Sequence, residues 1–131
     1  MYITRARNVV TQGKVSAMQE KDIEKHLRLK VWHELHGLAL KFISPGYSGV
    51  PDRILLLPEG RIVFAELKRP GGTPRKRQRY VFRLLYKLGF IVLLLDSIQA
   101  VDDFCEIMIK WNMNPPYGYL DKLRWDDKYD L

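Results

Sequence analysis

One cysteine in 131 residues, Cys105, is too few for an internal disulfide framework and fits a reducing cytoplasm. Nor does any run approach the roughly 20 apolar residues of a membrane span; the longest, residues 90–95, has the length of a strand. Arg5 and Arg7 near the start have no apolar stretch behind them, so no secretion signal is expected. Internal repeats and low-complexity tracts are absent. Acid is scarce beside base: 15 Asp and Glu against 22 Lys and Arg leave a net charge of +7. That excludes little by itself but favours a polyanionic partner. With 47% hydrophobic and 28% charged residues, the chain has globular composition and the size of one domain.

Periodicity divides the chain. Residues 1–15 are polar and basic without pattern and read as an arm. Ser16 and Gln19 have the spacing of a capping box, and Ile23, Leu27, Val31, Leu35 and Leu38 then recur at helical intervals, predicting a helix over 17–37 that ends near Gly37. A short strand over 40–44, a Pro- and Gly-rich loop over 45–49, and strands over 52–57 and 61–67 joined by a turn at 58–60 follow. Thr73 as cap and Pro74 at the first helical position predict a helix over 74–88. The apolar run 90–95 suits a strand buried on both faces, and Ser97 caps a last helix carrying Val101, Phe104, Met108 and Trp111. The order is αβββαβα, an α/β domain over 16–111 with a mixed central sheet. Residues 112–131 form an extension. Trp111, Pro115, Pro116, Tyr117, Tyr119, Leu120 and Trp125 make it too aromatic for a solvated tail, so it packs either across a partner subunit or back over its own core.

Several polar residues sit where packing alone would not put them. Strand alternation over 61–67 places Ile62, Phe64, Glu66 and Lys68 on one face and Val63, Ala65 and Leu67 on the other. Asp52 opens the preceding strand, and a tight turn brings it toward the Glu66–Lys68 end of a hairpin. Two carboxylates converging there with a lysine beside them make a hard-cation site of the kind Mg²⁺ or Mn²⁺ takes, able to orient a phosphodiester and activate water. The plainer alternative is a cross-strand Glu–Lys pair on a solvated face plus a turn aspartate. Glu20 lies in the apolar stripe of the first helix, where a carboxylate is costly unless paired or bound to a cation; otherwise it marks a helical turn emerging from the core, where acids favour the dipole. Glu24 sits at the stripe's edge. Gln78 likewise interrupts the stripe of Val81, Phe82, Leu85 and Leu88. Between residues 66 and 83 stand seven basic residues (Lys68, Arg69, Arg75, Lys76, Arg77, Arg79, Arg83) and one acid. Arg75, Arg79 and Arg83 form a helical ladder with Lys76 alongside. This run is either a solvated face or a phosphate-backbone surface next to the scissile bond.

Other patterns fail on spacing. His33 and His36 are three apart, not the four a zincin helix needs, and Gly71-Gly72 has no Gly-Lys-Ser/Thr behind it. Trp32, Trp111, Trp125 and Cys105 read as packing residues.

Gly49-Val50-Pro51-Asp52, then Glu66-Leu67-Lys68 after a short hairpin, then Gln78 a turn into the next helix, resemble the VRR-NUC domain of the restriction-endonuclease-like, PD-(D/E)xK superfamily. The upstream Glu20-Lys21-Asp22-Ile23-Glu24 is similar to that family's first-helix acidic motif. The resemblance spans residues 20–97, and no motif position is missing. It implies a metal-dependent DNA endonuclease using Mg²⁺ or Mn²⁺. Asp52, Glu66 and Glu20 would bind metal, Lys68 would assist the attacking water, and Gln78 would position the active-site groups or the backbone. Arg69, Arg75, Lys76, Arg79 and Arg83 would then contact DNA. Small stand-alone members are similar to phage and bacterial structure-specific nucleases, including four-way-junction resolvases. The resemblance therefore implies branched DNA as substrate, a homodimer, and the cytoplasm of a bacterium or a phage-infected host, with no membrane. The alternatives are a non-catalytic DNA-binding module and a nuclease without structural preference.

Overall fold

The computed structural model of the chain describes residues 18–116 together with Leu120 and Leu123. Its elements are helix α1 (Glu20–Leu35), strands β1 (Leu38–Lys41), β2 (Arg53–Leu57) and β3 (Arg61–Leu67), helix α2 (Lys76–Lys87), strand β4 (Ile91–Leu95) and helix α3 (Ile98–Lys110). The expected αβββαβα order is present. The sheet runs β1-β2-β3-β4, antiparallel through the first three strands and parallel between β3 and β4. It is therefore mixed.

Alternation sorts the side chains onto two faces. Val63, Ala65 and Leu67 of β3, with Leu93 and Leu95 of β4, face α1 and α3 in the larger cluster around Leu27, Phe104 and Met108. Phe64, Val92 and Leu94 face α2 and pack with Phe82 and Leu85. Phe64 stands edge-on to Phe90 at 5.3 Å between ring centroids. Strand β4 is buried on both faces although it is the last strand of the sheet among the described residues. A polar contact also crosses the α1–α3 interface: buried His26 lies 2.6 Å from Asp102 Oδ1, and Lys30 Nζ lies 3.6 Å from the same oxygen.

Element boundaries differ from the expected ones where a side chain three residues into the helix takes the cap amide. α1 starts at Glu20, not 17: Gln19 is the N-cap residue, and its N–H donates to the Asp22 carboxylate at 3.0 Å. Ser16 lies outside the described residues. α2 starts at Lys76, two residues after Pro74, because the Arg75 N–H is satisfied by the Gln78 side-chain oxygen at 2.8 Å. β1 begins at Leu38, so Leu38 leaves the helical stripe and is exposed. Leu88 lies past the end of α2 and is also exposed. Ser97 does cap α3, its hydroxyl accepting from the Ala100 N–H at 3.0 Å. No helix among the described residues is long and apolar enough to cross a membrane.

Gly37 is required for a different reason from the one its position implies. The left-handed residue that ends α1 is His36 (φ 58), whereas Gly37 lies against the backbone of β2. A Cβ at Gly37 would fall 2.4 Å from the Leu56 carbonyl oxygen and 2.9 Å from Leu57 Cδ2. Backbone cannot yield cheaply, so Gly37→Ala is expected to destabilise the fold by about 2–3 kcal/mol in urea unfolding. A loss within a few tenths would show that β2 gives way freely.

Candidate active site

The β2–β3 hairpin turns through Pro58–Gly60 with Glu59 (φ 65) and Gly60 (φ 73) in left-handed conformations. Its register pairs Arg53 with Ala65, and one step further brings Asp52 opposite Glu66. The Asp52 N–H donates to Glu66 Oε1 at 3.0 Å, and the Leu67 N–H donates to Asp52 Oδ1 at 3.1 Å. Glu66 is only 2% exposed, and its other oxygen, Oε2, accepts from Gln78 Nε2 at 2.8 Å and lies 3.0 Å from Lys68 Nζ. A carboxylate this deeply buried is tolerable because its oxygens meet a backbone amide, an amide side chain and an ammonium.

Asp52 is less well compensated. Burial, then the facing charge of Glu66, push its carboxyl from the ordinary 3.8 up to about 7, and Glu20 adds to the rise; the Leu67 N–H and Arg53 oppose it. Strand ends, hairpin register and α2 thus bring Asp52, Glu66, Lys68 and Gln78 into one hydrogen-bonded group. Glu20 approaches from α1. It is exposed at the first turn, not buried in the stripe, and with Gln19 it lines an open cleft of about 430 Å³ closed on the other side by Lys68, Arg69, Gly72 and Thr73. Glu24 lies away from this group, paired with Arg28 at 3.4 Å.

The donor set suits a hard divalent ion. Two carboxylates supply oxygen ligands, and the like-charge strain on Asp52 is the kind a cation relieves. Among the described residues no three His, Cys, Asp or Glu side chains converge as a ready-made metal cage. Mg²⁺ commonly accepts one or two carboxylates with water and phosphate oxygens completing its shell, which the Asp52–Glu66 pair fits.

The basic residues do not form one uniform ladder. Arg69, Arg75 and Lys76 are exposed, whereas Arg79 and Arg83 are half-buried. Arg79 Nη1 donates to the Pro74 carbonyl at 3.4 Å, and its Nε is enclosed without a hydrogen-bond partner. Arg77, counted among the basic residues but outside the ladder, packs against two tyrosines: its Cζ lies 4.9 Å from the Tyr47 ring centroid and 5.4 Å from that of Tyr80. Its Nε also donates to the Ser48 carbonyl at 3.0 Å. Helical spacing makes the Arg77–Tyr80 contact readable, but nothing local links either residue to Tyr47. The histidines dismissed on spacing stay outside the site: His33 and His36 are exposed on or beside α1, as is Trp32, which does not pack as expected, and Trp125 lies outside the described residues.

No model of a known protein family matches the sequence. Among curated proteins, the chain is 46% identical over 80 residues to one described as "Putative nuclease p44" from Acyrthosiphon pisum secondary endosymbiont phage 1. The match spans 61% of this chain and 85% of that protein. Among solved structures, it is similar to one described as "VRR_NUC domain", at 31% identity and a TM-score of 0.63, over 69% of this chain and 97% of the other.

Proposed function

The chain belongs to the VRR-NUC family of nucleases, and on that premise we propose that it is a divalent-metal-dependent endonuclease that hydrolyses DNA phosphodiesters at the Asp52–Glu66–Lys68 group. The single observation that carries this reading is the pairing of a buried, triply engaged Glu66 with an Asp52 whose negative charge is disfavoured in the folded chain. Stability gains nothing from setting one buried carboxylate against another, whereas a site that takes a cation does.

Asp52 and Glu66 would hold Mg²⁺ or Mn²⁺, with Glu20 completing the shell. Such an ion, when bound, polarises the phosphodiester and lowers the pKa of a water. The residues of the chain account for the rest. Gln78 fixes the rotamer of Glu66, and the Leu67 N–H fixes that of Asp52. The Lys68 ammonium, anchored on Glu66, is placed to hold the attacking water and to offset charge developing on the phosphate. Arg69, Arg75 and Lys76 present free cationic ends to the strand on either side, with Arg79 and Arg83 behind them.

Incubation of plasmid with Mg²⁺, Mn²⁺ or EDTA tests the reading directly. Cleavage is expected with either ion and none in EDTA; cleavage unaffected by EDTA overturns the metal assignment. Replacing Arg69, Arg75 and Lys76 together with Gln is expected to weaken binding to all DNA sequences alike and to lower the slope of log affinity against log salt by about 0.9 per lost phosphate contact. An unchanged slope would move the DNA surface elsewhere, for instance to the arm bearing Arg5 and Arg7.

The reading extends to branched DNA, above all four-way junctions, cut by a homodimer, since two symmetric incisions require two matched sites. Leu120 and Leu123 of the extension are buried in the chain's own main cluster. Those two residues are therefore not the dimer contact; exposed Leu38 and Leu40, on one face of β1 at the end of the described sheet, are the surface better suited to it. Light scattering and side-by-side cleavage of junction, flap and duplex DNA test this: a monomer cutting duplex as fast as junctions defeats it.

A further inference from the structure

The loop between β1 and β2 is fastened to α2 beside the carboxylates. Gly49 (φ +92) lies so close to α2 that a Cβ there would stand 2.9 Å from both Cγ and the carbonyl oxygen of Arg77. The Arg77 guanidinium reaches back over Tyr47 and bonds the Ser48 carbonyl, and it also lies over the ring of Tyr80, one turn along the helix. This unit has an apolar, planar surface that the fold does not use: Tyr47 is 45% exposed and Tyr80 46% exposed.

We propose that Tyr47, Arg77 and Tyr80 form a stacking platform for an unpaired nucleobase next to the scissile phosphate. The proposal rests on the nuclease reading and names the feature of the substrate that the site selects. Three observations carry it. The platform is held rigidly to catalytic elements, since Arg77 precedes Gln78, whose amide holds Glu66, and Ser48 lies four residues before Asp52 on the same loop. Its surroundings are cationic: no Asp or Glu occurs from Lys68 through Leu95, or in the loop from Ser44 to Pro51, so an anionic ligand such as a nucleic acid strand is favoured over a basic peptide or a neutral sugar, and the two exposed aromatic rings suit a base better than an acidic peptide. Finally, a base in a duplex has both faces covered by its neighbours, whereas one beside a branch, flap or gap offers a face to an aromatic or guanidinium plane. Exposed tyrosines at this position therefore distinguish unpaired from paired DNA without reading sequence.

The test compares binding, in EDTA so that no strand is cut, of a blunt duplex and the same duplex with a short single-stranded arm carrying 2-aminopurine. Tyr47→Ala and Tyr80→Ala are each expected to weaken binding of the armed DNA about tenfold and of the blunt duplex less than about twofold. The Phe variants should behave as the parent. Quenching of 2-aminopurine should be seen with the parent and Phe variants and be lost in the Ala variants. Tyr80→Leu, which keeps apolar bulk against Arg77, guards against a folding defect: it should retain blunt-duplex affinity and lose the preference for the armed DNA. Parent-like binding and quenching by the Ala variants, or equal losses on both DNAs for Tyr80→Leu, overturn the platform while leaving the nuclease reading intact. A parent that neither prefers the armed DNA nor quenches 2-aminopurine also overturns the platform, whereas a parent that cuts neither DNA once Mg²⁺ replaces EDTA overturns the nuclease reading.

Discussion

Asp52→Asn and Glu66→Gln should each lower Mg²⁺-dependent DNA cleavage by at least about a thousandfold, while affinity for uncut DNA changes by no more than about twofold. The conservative variants are the informative ones. Asn at 52 keeps an oxygen for the Leu67 N–H, and Gln at 66 keeps an oxygen for the Asp52 N–H, so hairpin register is preserved. What each removes is one negative charge and one hard oxygen ligand. The phosphate contacts proposed for exposed Arg69, Arg75 and Lys76 would not depend on either carboxylate, so binding should persist. Single-turnover cleavage and fluorescence anisotropy on the same oligonucleotide separate the two effects. Near-parental turnover by either variant would remove that residue from the catalytic group, and parallel loss of binding would mean the carboxylates hold the fold, not the reaction.

In unfolding experiments without metal, Asp52→Asn should be more stable than the parent at pH 8 and equal to it at pH 4. The Asp52 carboxyl is raised from 3.8 to about 7 in the folded chain, chiefly by burial and by the Glu66 charge. A carboxyl with a raised folded pKa favours folding fully below its unfolded pKa, and that contribution is lost as pH rises through the folded value. The parent therefore forfeits stability between about pH 4 and pH 8, and the Asn variant, which does not titrate, does not. Three units would amount to about 4 kcal/mol, and solvent screening of a carboxyl that is not fully enclosed brings the expected difference nearer 2 kcal/mol. Adding Mg²⁺ at pH 8 should stabilise the parent and leave the variant almost unmoved, because a cation that binds only the folded state acts through the charge the variant lacks. Urea unfolding across that pH range is the measurement. A pH-independent difference would place the proton elsewhere.

The hairpin was legible because alternation is local: β3 has the expected ends, and Asp52 comes opposite Glu66 by counting along the strands. Burial of Gln78 was legible as a polar break in an apolar stripe. Helix starts were not, since several residues near each start can take a cap amide, and the ones that do are Asp22 for Gln19 and Gln78 for Arg75. Thr73 has the chemistry of a cap, but Gln78, oriented by Glu66, supplies the oxygen that the Arg75 amide takes. Glu20 was placed on the right helix, and of the two environments its position allows, the first turn emerging from the core is the one present, because the apolar stripe does not reach that solvent-facing turn. The basic ladder failed in part for a similar reason: spacing places Arg79 and Arg83 on one line, yet neighbouring backbone and side chains half-enclose them. The Tyr47–Arg77 contact joins residues 30 apart through a loop whose path no periodicity encodes.

Gln78 spends both ends of one amide: its oxygen terminates α2 at Arg75 and its nitrogen grips Glu66. The helix that carries the positive charges is thereby gauged against the carboxylate, with one planar group as the spacer between them. Any tilt of α2 is transmitted to Glu66 within a single side chain's length, and any swing of Glu66 loosens the first turn of α2. On the proposed reading, the distance from backbone grip to cutting point would thus be set by a part of fixed size, and the tolerance for misplaced DNA would be the tolerance of that one amide.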